Sequence, residues 1–161
     1  MKSNILNTYK FNLVYAGKLV EDISDERMCE QPGGVPNHPA WVLGHLAISC
    51  DFGARQIGSQ GLCANHWGDL FSRGSSPVAD RTKYPGKVAL LKALEDGHHY
   101  LDALYDKVDD AVASSELPMK EMRAMFPTVG DLIVFILTSH ESAHLGQLSA
   151  WRRAAGLGSV F

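Results

Sequence analysis

Apolar side chains in this chain recur at intervals of three and four residues in four separate blocks, and no block alternates with a period of two over the length of a strand. That spacing collects them on one face of a helix, so each block reads as an amphipathic helix with a stripe to bury. Ile5, Leu6, Tyr9, Leu13, Ala16, Leu19, Val20 and Ile23 predict a first helix over residues 3 to 24. The run Gln31-Pro32-Gly33-Gly34-Val35-Pro36 cannot continue it. Asn37 as a cap and Pro39 in the first turn open a second helix, with Trp41, Val42, His45, Leu46, Ile48, Ser49 and Phe52 at helical spacing and Gly58 and Gly61 at its end. Val88, Leu91, Leu94, Leu101, Leu104, Tyr105 and Val108 predict a third over 86 to 114, although Gly97 weakens it by ~1 kcal/mol relative to Ala. The fourth has the clearest start, Thr128 with Asp131 three residues on, and stops at Ala155 before Gly156.

Four helices joined by long loops, one between helices 2 and 3 and one between helices 3 and 4, bury four stripes most simply as an all-α four-helix bundle. The 161 residues suit one domain, 1 to 161, and 45% hydrophobic with 20% charged residues is the make-up of a globular chain. A net charge of -3 gives no electrostatic reason to expect nucleic acid as a partner. The longest apolar run, Leu132 to Leu137, is far short of the ~20 residues a membrane span needs. Asn4, Asn7, Thr8 and Lys10 interrupt any signal-peptide core, and Cys29, Cys50 and Cys63 form neither an even set nor a CxxC pair. A cytoplasmic protein without disulfides is expected.

The chemistry is concentrated in His140-Glu141-Ser142-Ala143-His144. Histidines four apart on a helix lie about 40° apart in rotation and ~6 Å apart along the axis, close enough to share one metal. Both fall in line with Ile133, Ile136, Leu137, Leu148 and Trp151, where an unsatisfied imidazole is costly. Seven histidines in such a chain produce an HxxxH pair by chance roughly a quarter of the time, so the spacing alone carries little. The HExxH string suggests a zinc peptidase with Glu141 as base, but no His, Asp, Glu or Cys follows His144 to complete the site. Glu95 to His98 supplies a second ExxH string, yet on the third helix rather than the second, against the order of di-iron bundles. His45, on the apolar face of the second helix, is either a core histidine bonded to a hydroxyl or backbone group, or the third ligand that the fourth helix lacks.

The stretch Asn37-His38-Pro39-Ala40-Trp41-Val42-Leu43-Gly44-His45-Leu46-Ala47 resembles the second-helix signature of the DinB-like (DinB/YfiT-like) superfamily, and His140-Glu141-Ser142-Ala143-His144-Leu145-Gly146-Gln147 resembles its fourth-helix signature. That superfamily includes bacillithiol-type S-transferases and mycothiol-dependent maleylpyruvate isomerases. The resemblance implies an up-down-down-up bundle, often dimeric, with a divalent metal on three histidines; by position these are His45, His140 and His144. Imidazole ligands fit zinc, nickel or iron. Three neutral ligands leave an open position, as in catalytic sites, at which a substrate thiol could be held as its thiolate.

A low-molecular-weight-thiol S-transferase acting on a thiol and an electrophile is therefore the leading expectation. A non-catalytic dimeric bundle with a structural or adventitious metal is the alternative, and a metal-dependent hydrolase a minor one. Ser49, Glu141 and Gln147 are candidates to support the ligands, and His38 and His66 to line a substrate mouth. His98, His99 and Asp51 read as surface groups, Cys50 as a core residue, Cys63 as the exposed thiol, and Arg152 and Arg153 as cations matched to a helix C-terminus.

Overall fold

The computed structural model describes residues 2–160 and is built of helices. These are α1 (Lys2–Val20), α2 (Pro39–Gln56), α3 (Trp67–Phe71), α4 (Lys87–Lys107), α5 (Asp110–Ala113), α6 (Val129–Phe135) and α7 (Glu141–Ala154). A π-helical segment, Ile136–His140, joins α6 to α7, so the last helical run is continuous. Among the described residues the only β feature is an isolated antiparallel bridge between Glu116 and Thr128. No helix among them is long and apolar enough to cross a membrane.

The long helices pack α2 on α4, α1 on α4 and α7, and α2 on α7. The predicted stripes form one core: Leu6, Tyr9 and Leu19 of α1, Leu43 and Leu46 of α2, Leu94 and Leu101 of α4, and Leu148 and Trp151 of α7 are all buried. The adjacency of α2 and α7 matters most, because it brings His45 alongside the HExxH helix.

The helix ends differ from expectation where tertiary contacts intervene. The first helix stops at Val20, not at residue 24. Lys87 of α4 donates its ammonium to the carbonyls of Glu21 and Ile23, and Asp25 accepts from Arg81 and the Lys87 N–H, which draws the chain out of the helix. The third predicted helix breaks at Val108, which is extended, and Asp109 caps the separate α5 through the Ala111 N–H at 2.7 Å. The expected cap of the second helix was Asn37; His38 fills that place, its Nδ1 accepting the Trp41 N–H at 3.1 Å, with Pro39 in the first turn. The start of α6 is as read from the sequence, with Thr128 and Asp131 exchanging side chain-to-backbone bonds at 3.1 and 3.0 Å. The 57–86 connection contains α3, whose Trp67 and Phe71 join the core.

Two helix glycines behave oppositely. A Cβ on Gly44 of α2 would lie 2.4 Å from the Phe71 ring, whereas one on Gly17 of α1 would meet nothing within 4 Å. Gly17→Ala should therefore raise stability by about 0.5–1 kcal/mol, by restricting the unfolded chain and improving helix propensity. Gly44→Ala should lower it by about 1–3 kcal/mol through overpacking. Urea midpoints of the two variants check both signs. Gly97, counted as a weakness in the sequence, is where α4 approaches α2: its Cβ would stand 3.0 Å from that of Cys50.

Candidate metal centre

His45 lies on the second helix and His140 and His144 on the last, and one ring nitrogen from each comes within 4.8 Å of the others. Ring centroids are 5.2 Å apart for His45 and His140, 4.5 Å for His45 and His144, and 4.7 Å for His140 and His144.

Hydrogen bonds behind the rings determine which nitrogens face one another. His45 Nδ1 is 2.7 Å from the Phe71 carbonyl oxygen, which can only accept, so the proton is on Nδ1 and the Nε2 lone pair is free. His144 Nδ1 donates to Gln147 Oε1 at 3.1 Å, and the same oxygen accepts from Asn37 Nδ2 at 2.9 Å. That again leaves Nε2 free. His45 Nε2 and His140 Nε2 are 3.2 Å apart. Two nitrogens bound ~2.1 Å from one tetrahedral ion are about 3.4 Å apart, so this pair is spaced for a shared cation. His140 Nδ1 is buried without a hydrogen-bond partner among the described residues, so this imidazole's polar neighbours are the other two rings. A cation would supply what the apolar stripe does not.

Walls and flanks hold the cluster rigid. Trp41 stacks on His45 at 4.6 Å, 7° from parallel, and its indole N–H donates to Ser75 Oγ at 2.8 Å. Phe135 packs 5.6 Å from His140. The π segment that ends at His140 is a local widening of the kind that recurs at functional sites; its Thr138 donates its hydroxyl to the Val134 carbonyl of α6 at 2.6 Å.

Burial, reinforced by the neighbouring imidazoles, pushes His140 down to about 3 and His144 to about 4, and burial lowers His45 as well. All three are neutral near pH 7, the form that coordinates metal. Each folded pKa lies below the ordinary value of 6.5. Below that value the unfolded chain takes up protons that the folded chain refuses. The metal-free protein should thus keep this contribution to stability above pH 6.5 and lose it as the pH falls towards 4 and then 3. Thermal midpoints of metal-free protein between pH 7 and 4 check the sign; an increase on acidification would contradict it.

The other candidates fall in different places. Gln147 touches His144 directly. Ser49 donates to the backbone carbonyl of His45 at 2.7 Å and lines an adjoining pocket. Glu141 turns away from the cluster and pairs with His98, which is buried rather than at the solvent boundary. His38 is buried as the cap of α2, with Nε2 donating to the Val78 carbonyl at 3.1 Å, and His66 is exposed at the start of α3. Neither is among the residues lining the pockets at the histidines. Asp51 is not a surface group: it is buried and accepts the N–H groups of Leu62 and Cys63 at 2.7 and 2.8 Å, pinning the loop after α2. Arg152 is also buried, bonded to Asp22 and to the Leu19 carbonyl at 2.9 Å, so the helix dipole is a small part of its role. Cys50 is in the core, and Cys63 is half-buried.

An all-helical bundle with three neutral imidazoles converging from two adjacent helices has the build of a three-histidine metal protein. The chain belongs to the DinB superfamily, whose sequence profile matches residues 15–148 and so takes in both histidine-bearing helices. No curated relative and no solved structure matches the chain.

Proposed function

We propose that the protein is a divalent-metal-dependent enzyme that holds its ion on His45, His140 and His144 and transfers a group to a low-molecular-weight thiol. The observation that carries this reading is the second hydrogen bond on two of the rings. The Phe71 carbonyl and the Gln147 amide each engage an Nδ1, and such partners fix the tautomer and orientation of metal-binding histidines.

A divalent ion there would keep a bound thiol as thiolate near neutral pH. The chain's own part is to orient and enclose. His45 is held by Phe71 and Trp41, His144 by Gln147 and Asn37, and Trp41 covers the cluster on one side. In the net reaction a sulfur–carbon bond forms, the electrophile's leaving group departs with its electron pair, and the thiol proton passes to water. Two features favour transfer over the alternatives. His45 and His140 open onto a pocket of about 590 Å³, which a purely structural site does not need. No carboxylate lines either pocket at the cluster to act as a hydrolytic base, and Glu141 is engaged by His98. A cytoplasmic location and a homodimer belong to the same proposal.

The test is turnover of a panel of small thiols and alkylating electrophiles by protein loaded with zinc, nickel or iron. Thiol consumption should depend on the metal and fall with its removal. Cobalt-substituted protein should show a spectral change on adding thiol. Equal rates with and without metal, or a cobalt spectrum indifferent to every thiol, would overturn the transferase reading and favour a non-catalytic bundle.

A further inference from the structure

Resting on that reading of the site, we propose that the pocket beside the histidines receives the apolar body of a small monocarboxylate, with its anionic end against Arg73 where the pocket meets the metal cluster.

The pocket has about 590 Å³, within the usual range for small-molecule sites. Its far wall is the 115–128 loop, pinched shut by the Glu116–Thr128 bridge and by the Leu117 N–H on the Pro127 carbonyl at 3.1 Å. The Arg123 guanidinium braces the loop from within, through the Leu117 carbonyl and the Glu116 carboxylate. This closure presents Met119, Met122, Met125 and Phe126 to the pocket, opposite Ile48 and Phe52 of α2. Met125 is 63% exposed, apolar surface that the fold itself does not bury. Methionines suit such a wall, because an unbranched thioether adapts to ligands of varied outline.

The polar end is equally well defined. A second, smaller pocket contains Trp41, Ser75 and His144, and it shares His45, Arg73 and His140 with the first. Those three residues therefore stand where the two spaces join. Arg73, a solvent-exposed side chain, is the one Lys, Arg, Asp or Glu on either lining, and among the described residues it makes no hydrogen bond or ion pair. Residues on both sides of it are tethered to α2: the Phe71 backbone carbonyl accepts from His45, and the Ser75 hydroxyl accepts the Trp41 indole N–H. A guanidinium at the mouth of an apolar pocket, with no carboxylate on either lining, favours a ligand with a negative charge at that end and none along its body.

Calorimetry with acetate, hexanoate, octanoate and 1-octanol tests this, using wild-type protein with and without zinc and the His144→Ala variant. Octanoate should bind one per chain, with affinity rising roughly three- to fourfold per added methylene from hexanoate and acetate too weak to detect. Arg73→Gln should weaken octanoate roughly three- to tenfold and leave 1-octanol unchanged. Met122→Asp, and Met125→Asp at the exposed rim, should weaken both. Octanoate should still bind His144→Ala and zinc-free protein. Binding that requires zinc and ignores chain length and Arg73 would overturn the pocket assignment while leaving the metal site standing. Octanoate binding in protein that takes up no zinc would do the reverse. Equal affinity for octanoate and 1-octanol would remove the carboxylate from the proposal.

Discussion

Alanine at His45, His140 or His144 should strip the protein of its metal and leave it folded. The three ring nitrogens lie within 4.8 Å of one another, and each would supply a third of the protein's coordination to an ion held there. Loss of a group that merely orients a ligand lowers metal affinity ten- to hundredfold, so loss of a ligand should lower it by at least about a hundredfold. Gln147→Ala, which frees His144 Nδ1, should fall in the ten- to hundredfold range. The helices should survive, because the core that joins α1, α2, α4 and α7 is closed by leucines and Trp151 rather than by the histidines. Metal content after dialysis and far-UV circular dichroism on the same samples decide the matter. Wild-type stoichiometry in all three variants would refute the ligand assignment; collapse of the helical spectrum would mean that the metal holds the fold.

The second large effect is expected away from the cluster. His98 of α4 and Glu141 of α7 are each 2% exposed and bonded to one another through Nε2 and Oε1. Tyr9 stacks on the His98 ring at 3.7 Å and its hydroxyl reaches Cys50 Sγ at 3.1 Å, so the pair is sealed from water by α1 and α2. Burial drives the Glu141 carboxyl upwards, with His98 and, more weakly, Asn12 of α1 opposing that shift. Removing His98 would leave a buried carboxyl with the buried Asn12 amide of α1 as its remaining polar neighbour. Breaking one side of a buried pair typically costs about 3–5 kcal/mol, a large part of the ~5–15 kcal/mol that holds a domain together. His98→Ala should therefore lower the urea midpoint more than Gly44→Ala does. His98→Gln, which keeps a donor, should recover part of the loss. A destabilisation below about 1 kcal/mol for His98→Ala would show that the carboxyl finds water or another partner.

Much of this protein was legible in its sequence because helical periodicity is local. The stripes needed only side-chain hydrophobicity at spacings of three and four. The Thr128–Asp131 cap needed only two residue types three apart, and Gly156, at φ 77°, takes the left-handed conformation expected after a helix. The HxxxH pair was visible on the same grounds, since i and i+4 share a face whatever surrounds the helix. His45 was visible as a polar residue on an apolar face, but only the neighbouring positions of α2 and α7 turned one of its two readings into a cluster.

What the chain's letters could not carry depends on distant groups or on backbone. The Phe71 carbonyl that sets the His45 tautomer has no signature in residue identity, since every residue has a carbonyl. Arg73 reads as an ordinary loop cation until two pockets are seen to share it. His98 and Asp51 are polar residues whose burial follows from the partners that satisfy them, the Glu141 carboxyl and the Leu62 and Cys63 N–H groups, and those partners are 43, 11 and 12 positions away. The early end of α1 and the π segment Ile136–His140 likewise answer to packing, because a helix with a good stripe continues or widens according to what its neighbours offer. Helices, their buried faces and the residue types able to hold a metal follow from spacing along the chain. Which nitrogens meet, and what opens onto them, is set by packing, because both depend on contacts between segments far apart in the chain.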